Sequence, residues 1–166
     1  MPSYKAYIGI DPGATGALSV IFTGDGIPFK LDTVEFKNAG IDGFIFALKD
    51  ILTFSPIGKV MVESVHAMPK QGVSSMFTFG TRFGEILGAL KALGIGYELV
   101  TPQKWQKEVG VVKPTSTTAE RKKAISEKII AMYPETGSLI RGPKGGYKDG
   151  VGDAFGLAHY ARKHYT

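Results

Sequence analysis

Four acidic residues stand where chemistry, not folding, would put them. Asp11 ends the apolar run IGID and is followed at once by Pro-Gly; its neighbours Ile8, Ile10, Leu18, Val20, Ile21 and Phe22 read as buried strand. An unpaired carboxylate is costly in such a place. Glu63 ends a second short apolar run, KVMVES. Asp153 interrupts VGDAFGLA, where the pattern asks for a core residue, and Asp149 precedes it by one helical turn. Acids four apart on one helix face repel unless a cation lies between them. Taken singly, Asp11 can be a turn former, Asp149 an N-cap and Asp153 half of a salt bridge. Taken together, the acids call for a divalent cation. With no cysteine and no histidine cluster, the oxygen-only donor set favours Mg²⁺ or Mn²⁺ over zinc. Magnesium keeps several waters and commonly completes its shell with substrate phosphate.

The elements that would carry these residues follow from periodicity and turn signals. YKAYIGID and GALSVIF form a strand pair around the turn at 13–16, TGDG makes a second turn, and PFKLDTVEF a third strand. Residues 41–54 have apolar residues at helical spacing, with Asp42 near the start. Residues 59–64 form a fourth strand, and MFTFGTRFGEILGALKALG a long helix closed by Gly94. IGYELVTP is a fifth strand stopped by Pro102; PQKWQKEVG, TTAERKKAISEKIIAMYP and DGVGDAFGLAHYARKHY are three helices. An antiparallel meander followed by alternating helix and strand predicts an α/β fold, a mixed sheet with helices on its faces. The fourth strand, reached through a crossover helix, is expected parallel to the first. Asp11 and Glu63 then leave the sheet at one edge, outside the carboxyl ends of strands, where ligand sites of open α/β sheets lie. The whole chain, 1–166, reads as one domain, with loops expected to be mobile at 107–118 and 141–150.

Charge is unevenly distributed. Residues 1–100 hold eight Lys/Arg and nine Asp/Glu, whereas residues 101–166 hold twelve and six. A basic third on a neutral body suggests a polyanionic partner, nucleic acid first. Lys104, Lys107, Lys113, Arg121, Lys122 and Lys123 form the densest basic run, and Lys144 and Lys148 lie beside the proposed metal site, where they could hold a phosphate. No apolar run approaches the roughly 20 residues of a membrane span. No leader is visible and there are no cysteines, so an intracellular, cytoplasmic setting is expected, whether phage-encoded, bacterial or organellar.

IGIDPGATGA, then VMVES, then KDGVGDAFGLA near the end, resemble the RuvC-like Holliday junction resolvases of the RNase H-like superfamily. The likeness is to the phage and organellar branch, which also carries a TPQKW-like segment. That resemblance implies a five-stranded mixed sheet flanked by helices, a homodimer, and four-way DNA junctions as substrate. It implies that Asp11 bridges two Mg²⁺ ions, with Mn²⁺ able to substitute, while Glu63 binds one and Asp153 the other. Relatives place the fourth acid three or four residues before the last Asp; here the three-back position is Gly150, which leaves Asp149. The implied reaction is two-metal phosphodiester hydrolysis: one ion generates hydroxide, the other stabilises the leaving 3′-oxygen. Symmetric nicks would leave 5′-phosphate and 3′-hydroxyl ends.

Several residues carry two readings each. In relatives the segment after Glu63 meets the junction centre, so Phe77 or Phe79 could stack on an unpaired base, or both could pack the following helix into the core. Ser74 and Ser75 could touch phosphate or cap that helix. Gly80, Gly84 and Gly88 form a bare stripe suited to close packing on the sheet or to a dimer interface. Trp105 reads as a core anchor rather than a base-stacking residue. His66, a lone histidine after the strand, could assist proton transfer or be incidental. Three rivals stand beside the resolvase: an RNA–DNA hybrid nuclease, which takes its glutamate from the first helix where this chain offers only Asp42 and Asp50; an actin-like or sugar-kinase ATPase, which needs a second such domain; and a junction-binding protein without catalysis.

Overall fold

The computed structural model describes residues 3–64, 72–111 and 117–165. A five-stranded sheet runs in the order β3-β2-β1-β4-β5. β1 (Tyr4–Asp11), β2 (Ala17–Gly24) and β3 (Ile27–Glu35) form the antiparallel meander. Asp25 and Gly26 turn β2 into β3 with positive φ at both residues (50° and 80°), the geometry that matches the twist of a tight hairpin. β4 (Ile57–Glu63) joins β1 in parallel, and β5 (Glu98–Val100) joins β4 in parallel, as the sequence leads one to expect.

The helices are α1 (Phe36–Phe54), α2 (Val73–Ala92), α3 (Pro102–Val109), α4 (Thr118–Met132), the short α5 (Gly137–Ile140) and α6 (Asp149–His164). Sequence periodicity places the first helix at 41–54; it starts earlier, and Gly40 (φ 63°, ψ −170°) breaks the helical path just where the periodic part begins. α2 ends as foreseen at Gly94 (φ 68°), whose neighbour Ile95 donates back to the Leu90 carbonyl at 2.9 Å. A reciprocal Thr117–Glu120 capping box starts α4. The glycine-rich 141–150 stretch, expected as a mobile loop, contains a closed turn: Arg141 pairs with Tyr147, and Gly142 donates to Gly146 O at 2.7 Å.

Strand alternation divides the core. Ala6, Ile8 and Ile10 of β1, with Val60 and Val62 of β4, face Phe36, Phe44 and Leu48 of α1 and Ile86 and Leu90 of α2. Tyr7 and Met61 face the other way, onto Trp105 of α3, Ile125 and Ile129 of α4, and Ala154, Phe155 and Ala158 of α6. The period of two that points Ile10 and Val62 into the first layer therefore points Asp11 and Glu63 toward the second. Among the described residues no helix is long and apolar enough to cross a membrane.

Candidate active site

Asp11 leaves the end of β1, and the Gly13 backbone N–H donates to its Oδ1 at 2.9 Å. The turn after the strand thus holds the carboxylate. The parallel pairing of Ile10 with Val62 puts Asp11 level with Glu63 on the neighbouring strand. Glu63 is held from a third element: the indole N–H of the fully buried Trp105 donates to its Oε2 at 2.8 Å.

Asp153 reaches this edge because α6 lies directly on β1. A β-carbon on Gly9 would stand 2.0 Å from the Ala154 carbonyl oxygen and 2.4 Å from the Ala158 nitrogen. No side chain fits between the two elements, so Asp153 enters beside Asp11. Its Oδ1 is buried and has no hydrogen-bond partner.

The three carboxylates burden one another. Burial, then the charges of Asp11 and Glu63, push Asp153 well above the usual carboxylate range. Burial and Asp11 raise Glu63 to about 7, against the opposing pull of the Trp105 N–H, Arg121 and Lys122. Asp11 is raised by burial, against the Gly13 N–H and Lys122. Mutual repulsion in a desolvated site is what a bound cation relieves. Among the described residues no three acids or histidines close on one point as a finished metal centre. The donor set nevertheless fits a hard divalent cation: carboxylate oxygens alone, clustered and partly buried, one of them unpartnered.

Asp149 sits at the rim, in the first turn of α6, with the Lys122 ammonium 3.5 Å from its Oδ2. The alternative position for a fourth acid, Gly150, is sterically shut, because a β-carbon there would stand 1.9 Å from the Thr15 carbonyl oxygen. Lys148 does not point free beside the acids; it donates to Glu35 Oε1 at 2.8 Å, and Lys37 meets the same carboxylate at 3.3 Å. Burial pushes Glu35 up, but these two partners outweigh it and hold the group below its ordinary range.

Sequence reasoning missed three relationships here: Trp105 to Glu63, Lys122 to Asp149 and Lys148 to Glu35. A signal existed for the last. Glu35 ends β3 opposite Ala17, which itself pairs with Asp11, so the meander carries it to the same sheet edge.

Lys104 and Lys107 are exposed on α3, Lys144 is exposed in the closed turn, and Lys123 is exposed with Glu127 at 3.8 Å. Ser74 and Ser75 are exposed in the first turn of α2, whose N-cap is Gly72, so neither caps it. The core-packing reading fails for Phe77, which is 77% exposed; Phe79 is half-buried and stacks on Phe83 with ring centroids 6.2 Å apart. Gly80, Gly84 and Gly88 do not pack on the sheet, since a β-carbon on any of them would meet none of the described residues within 4 Å. Asp42 and Asp50 of α1 are exposed. Lys113 and His66 fall outside the described residues.

The mixed five-stranded sheet with helices on both faces is the RNase H-like fold. No protein-family model matches the sequence, and no curated protein matches it either. Solved structures do match in fold. One is Thermus thermophilus RuvC in complex with Holliday junction substrate, with a TM-score of 0.58 and 16% identity over 96% of this chain and 97% of that one. Another is the Thermus thermophilus RuvC structure, with a TM-score of 0.56 and 18% identity over the same shares. The fold is therefore RuvC-like.

Proposed function

We propose that the chain is a single-domain, metal-dependent endonuclease that resolves four-way DNA junctions. One observation carries the reading: three carboxylates from β1, β4 and α6 share a desolvated edge where burial raises the proton affinity of each, Asp11 adds to that of Glu63, both add to that of Asp153, and Asp153 Oδ1 has no partner among the described residues. Asp11 would hold both ions; Glu63 would hold one and Asp153 the other, with Asp149 assisting at the rim. Bound there, a pair of Mg²⁺ ions supplies Lewis acidity at both the attacking and the departing oxygen of a phosphodiester.

The chain's own residues supply the rest. Gly13 N–H and the Trp105 indole orient two of the carboxylates. Lys122 and Arg121 bring positive charge to the rim, favouring a scissile phosphate there, while Glu35 keeps Lys148 close to the start of α6. Exposed Lys104, Lys107, Lys123 and Lys144 offer contacts to the DNA backbone, and Ser74, Ser75 and Phe77 at the start of α2 offer contacts near the branch point. Paired nicks need two sites related by a two-fold axis. We assign that pairing to a homodimer through the bare glycine stripe of α2. Its place of work is the cytoplasm or an equivalent intracellular compartment.

The test is a labelled synthetic four-way junction beside a linear duplex of the same sequence, each with Mg²⁺ or with chelator. Paired nicks on opposite strands of the junction, lost in chelator, are expected. Equal cutting of the duplex would remove junction selectivity, and binding without cutting in Mg²⁺ would remove the nuclease.

A further inference from the structure

We infer that Trp105 is a positioning residue: its indole N–H fixes Glu63 in the orientation that receives a divalent cation, which makes Trp105 emission a direct reporter of that cation. The inference rests on the reading of Glu63 as a metal ligand.

The geometry is specific to the polar end of the indole. Trp105 is fully buried, and a buried indole N–H, a donor only, must find an acceptor. Its acceptor is a carboxylate oxygen, Glu63 Oε2, at 2.8 Å. Once Glu63 is ionised, as a bound cation requires, this bond is among the stronger kinds and sets direction as well as distance. It occupies one lone pair of Oε2 and leaves the others, with those of Oε1, for further ligation. Glu63 ends its strand on a flexible side chain, so without this bond several rotamers are open to it. Filling the core would require only a ring; aiming the N–H at Glu63 requires a tryptophan in this rotamer.

Three elements build the contact. Glu63 pairs with Val100 across β4 and β5, and Ser64 N donates to Val100 O at 2.8 Å. Two residues after Val100 the chain enters α3, whose first turn returns Trp105 to the glutamate. On the far side α6 makes room: a β-carbon on Gly156 would stand 2.5 Å from Cζ3 and 2.8 Å from Cε3 of the indole. The helix that delivers Asp153 thus also presses Trp105 toward Glu63, so two of the acids are set by one packing arrangement. Hydrogen-bond partners of metal ligands typically change metal affinity by about 10- to 100-fold when removed.

The chain contains a single tryptophan, so its emission reports one position. Wild-type protein and Glu63→Gln are titrated with Mg²⁺ while Trp105 emission is followed. Mn²⁺ binding to wild type and to Trp105→Phe is measured in parallel by electron paramagnetic resonance. We expect a saturable, chelator-reversible emission change in wild type that is lost in Glu63→Gln. We also expect Mn²⁺ binding about tenfold or more weaker in Trp105→Phe at unchanged circular dichroism. Cleavage by that variant should recover at raised Mg²⁺, separating a metal-affinity defect from a lost kcat. Should Trp105→Phe not fold, the wild-type titration decides alone: emission unmoved by bound metal overturns the inference. Wild type that binds Mn²⁺ with silent emission, beside a Trp105→Phe of equal affinity, defeats the positioning role and leaves the metal site standing. Wild type that binds no Mn²⁺ defeats both.

Discussion

Gly9 and Ala154 touch through their backbones, at a distance that would leave a β-carbon on Gly9 2.0 Å from the Ala154 carbonyl oxygen. Asp11 lies two residues beyond one of them and Asp153 immediately before the other, so this contact sets the spacing of two candidate ligands. Gly9→Ala cannot be absorbed by a flexible side chain, because the two nearest neighbours of the new methyl are backbone atoms of α6 and the third is the Leu157 β-carbon. It is expected to cost about 3 kcal/mol or more and to lower Tm by roughly 10 °C. Thermal unfolding followed by circular dichroism measures this, and a Tm within about 1 °C of wild type would show that α6 does not rest on β1 as described.

Three acids of the site contribute stability without metal that is lost as pH rises from 4.5 to about 7, whereas Glu35, Glu98, Glu108 and Glu120, held below their ordinary range, act in the opposite sense at lower pH. Glu63, Asp11 and Asp153 all have pKa values raised on folding, with Glu63 moved from 4.5 to about 7. Between those values the native protein keeps protons that the unfolded chain has released, so stability declines with pH across the interval. His159, buried against Tyr133 and held below its ordinary 6.5, works in the opposite sense, and the acids are therefore isolated by comparison with a variant. In chelator, Asp153→Asn is expected to be more stable than wild type at about pH 7.5 and to lose much of that advantage at about pH 5. Mg²⁺ should stabilise wild type most at the higher pH. An advantage of Asp153→Asn that is the same at both pH values would contradict the coupling among the acids.

The sheet was legible because its signals are local or periodic. The short apolar runs in YKAYIGID and KVMVES mark buried strands, the Asp25-Gly26 turn makes the hairpin, and a crossover helix forces β4 parallel to β1. The strand period of two places Asp11 and Glu63 on one face, so the acid pair could be read without coordinates. The start of α1 could not, because Gly40 separates Phe36–Ala39 from the periodic part. The segment at 134–140 hides its short helices behind Pro134 and Gly137, which read as breakers. What Trp105 and Lys122 do was illegible for a different reason: each acts on a carboxylate at least 27 positions away, and no spacing rule reports such a contact.

Asp11→Asn should separate binding from cutting. Asp11 raises the proton affinity of both Glu63 and Asp153, so its charge bears on both of the other acids. Removing its charge relieves repulsion in the metal-free site while deleting the carboxylate proposed to hold both ions. Cleavage in Mg²⁺ is expected to drop by about three orders of magnitude, with junction affinity in chelator unchanged or improved. Gel-shift and single-turnover cleavage on the same junction measure the two; cutting at the wild-type rate would remove Asp11 from the mechanism.

The basic third should act through phosphate. Lys104 and Lys107 are exposed on α3 and spaced by three residues, so both lie near one helix face. Each replaced by Ala is expected to weaken junction binding and to lower the slope of log affinity against log salt by about one. Lys49→Ala, exposed on α1 across the sheet from α3, should leave the slope where it was. Equal slopes for all three variants and wild type would take α3 out of the DNA interface.

Phe77 offers the clearest separation of stability from function. It is 77% exposed beside Val73 at 85% and Met76 at 38%, an apolar cluster at the start of α2 that no described residue covers. Such a ring adds little to the fold, so Phe77→Ala should change unfolding free energy by no more than about 0.5 kcal/mol. If the ring stacks on a base at the branch point, its loss removes roughly 1–3 kcal/mol of interaction and slows junction cleavage by about five- to a hundredfold. Phe77→Tyr, which keeps a flat ring, should retain most activity. Phe79→Ala makes the contrast, because that ring is half-buried against Phe83 and its removal should register in Tm. Chemical denaturation and cleavage rates on one junction settle the matter: a Phe77→Ala protein that cuts at the wild-type rate assigns the exposed cluster to something other than DNA.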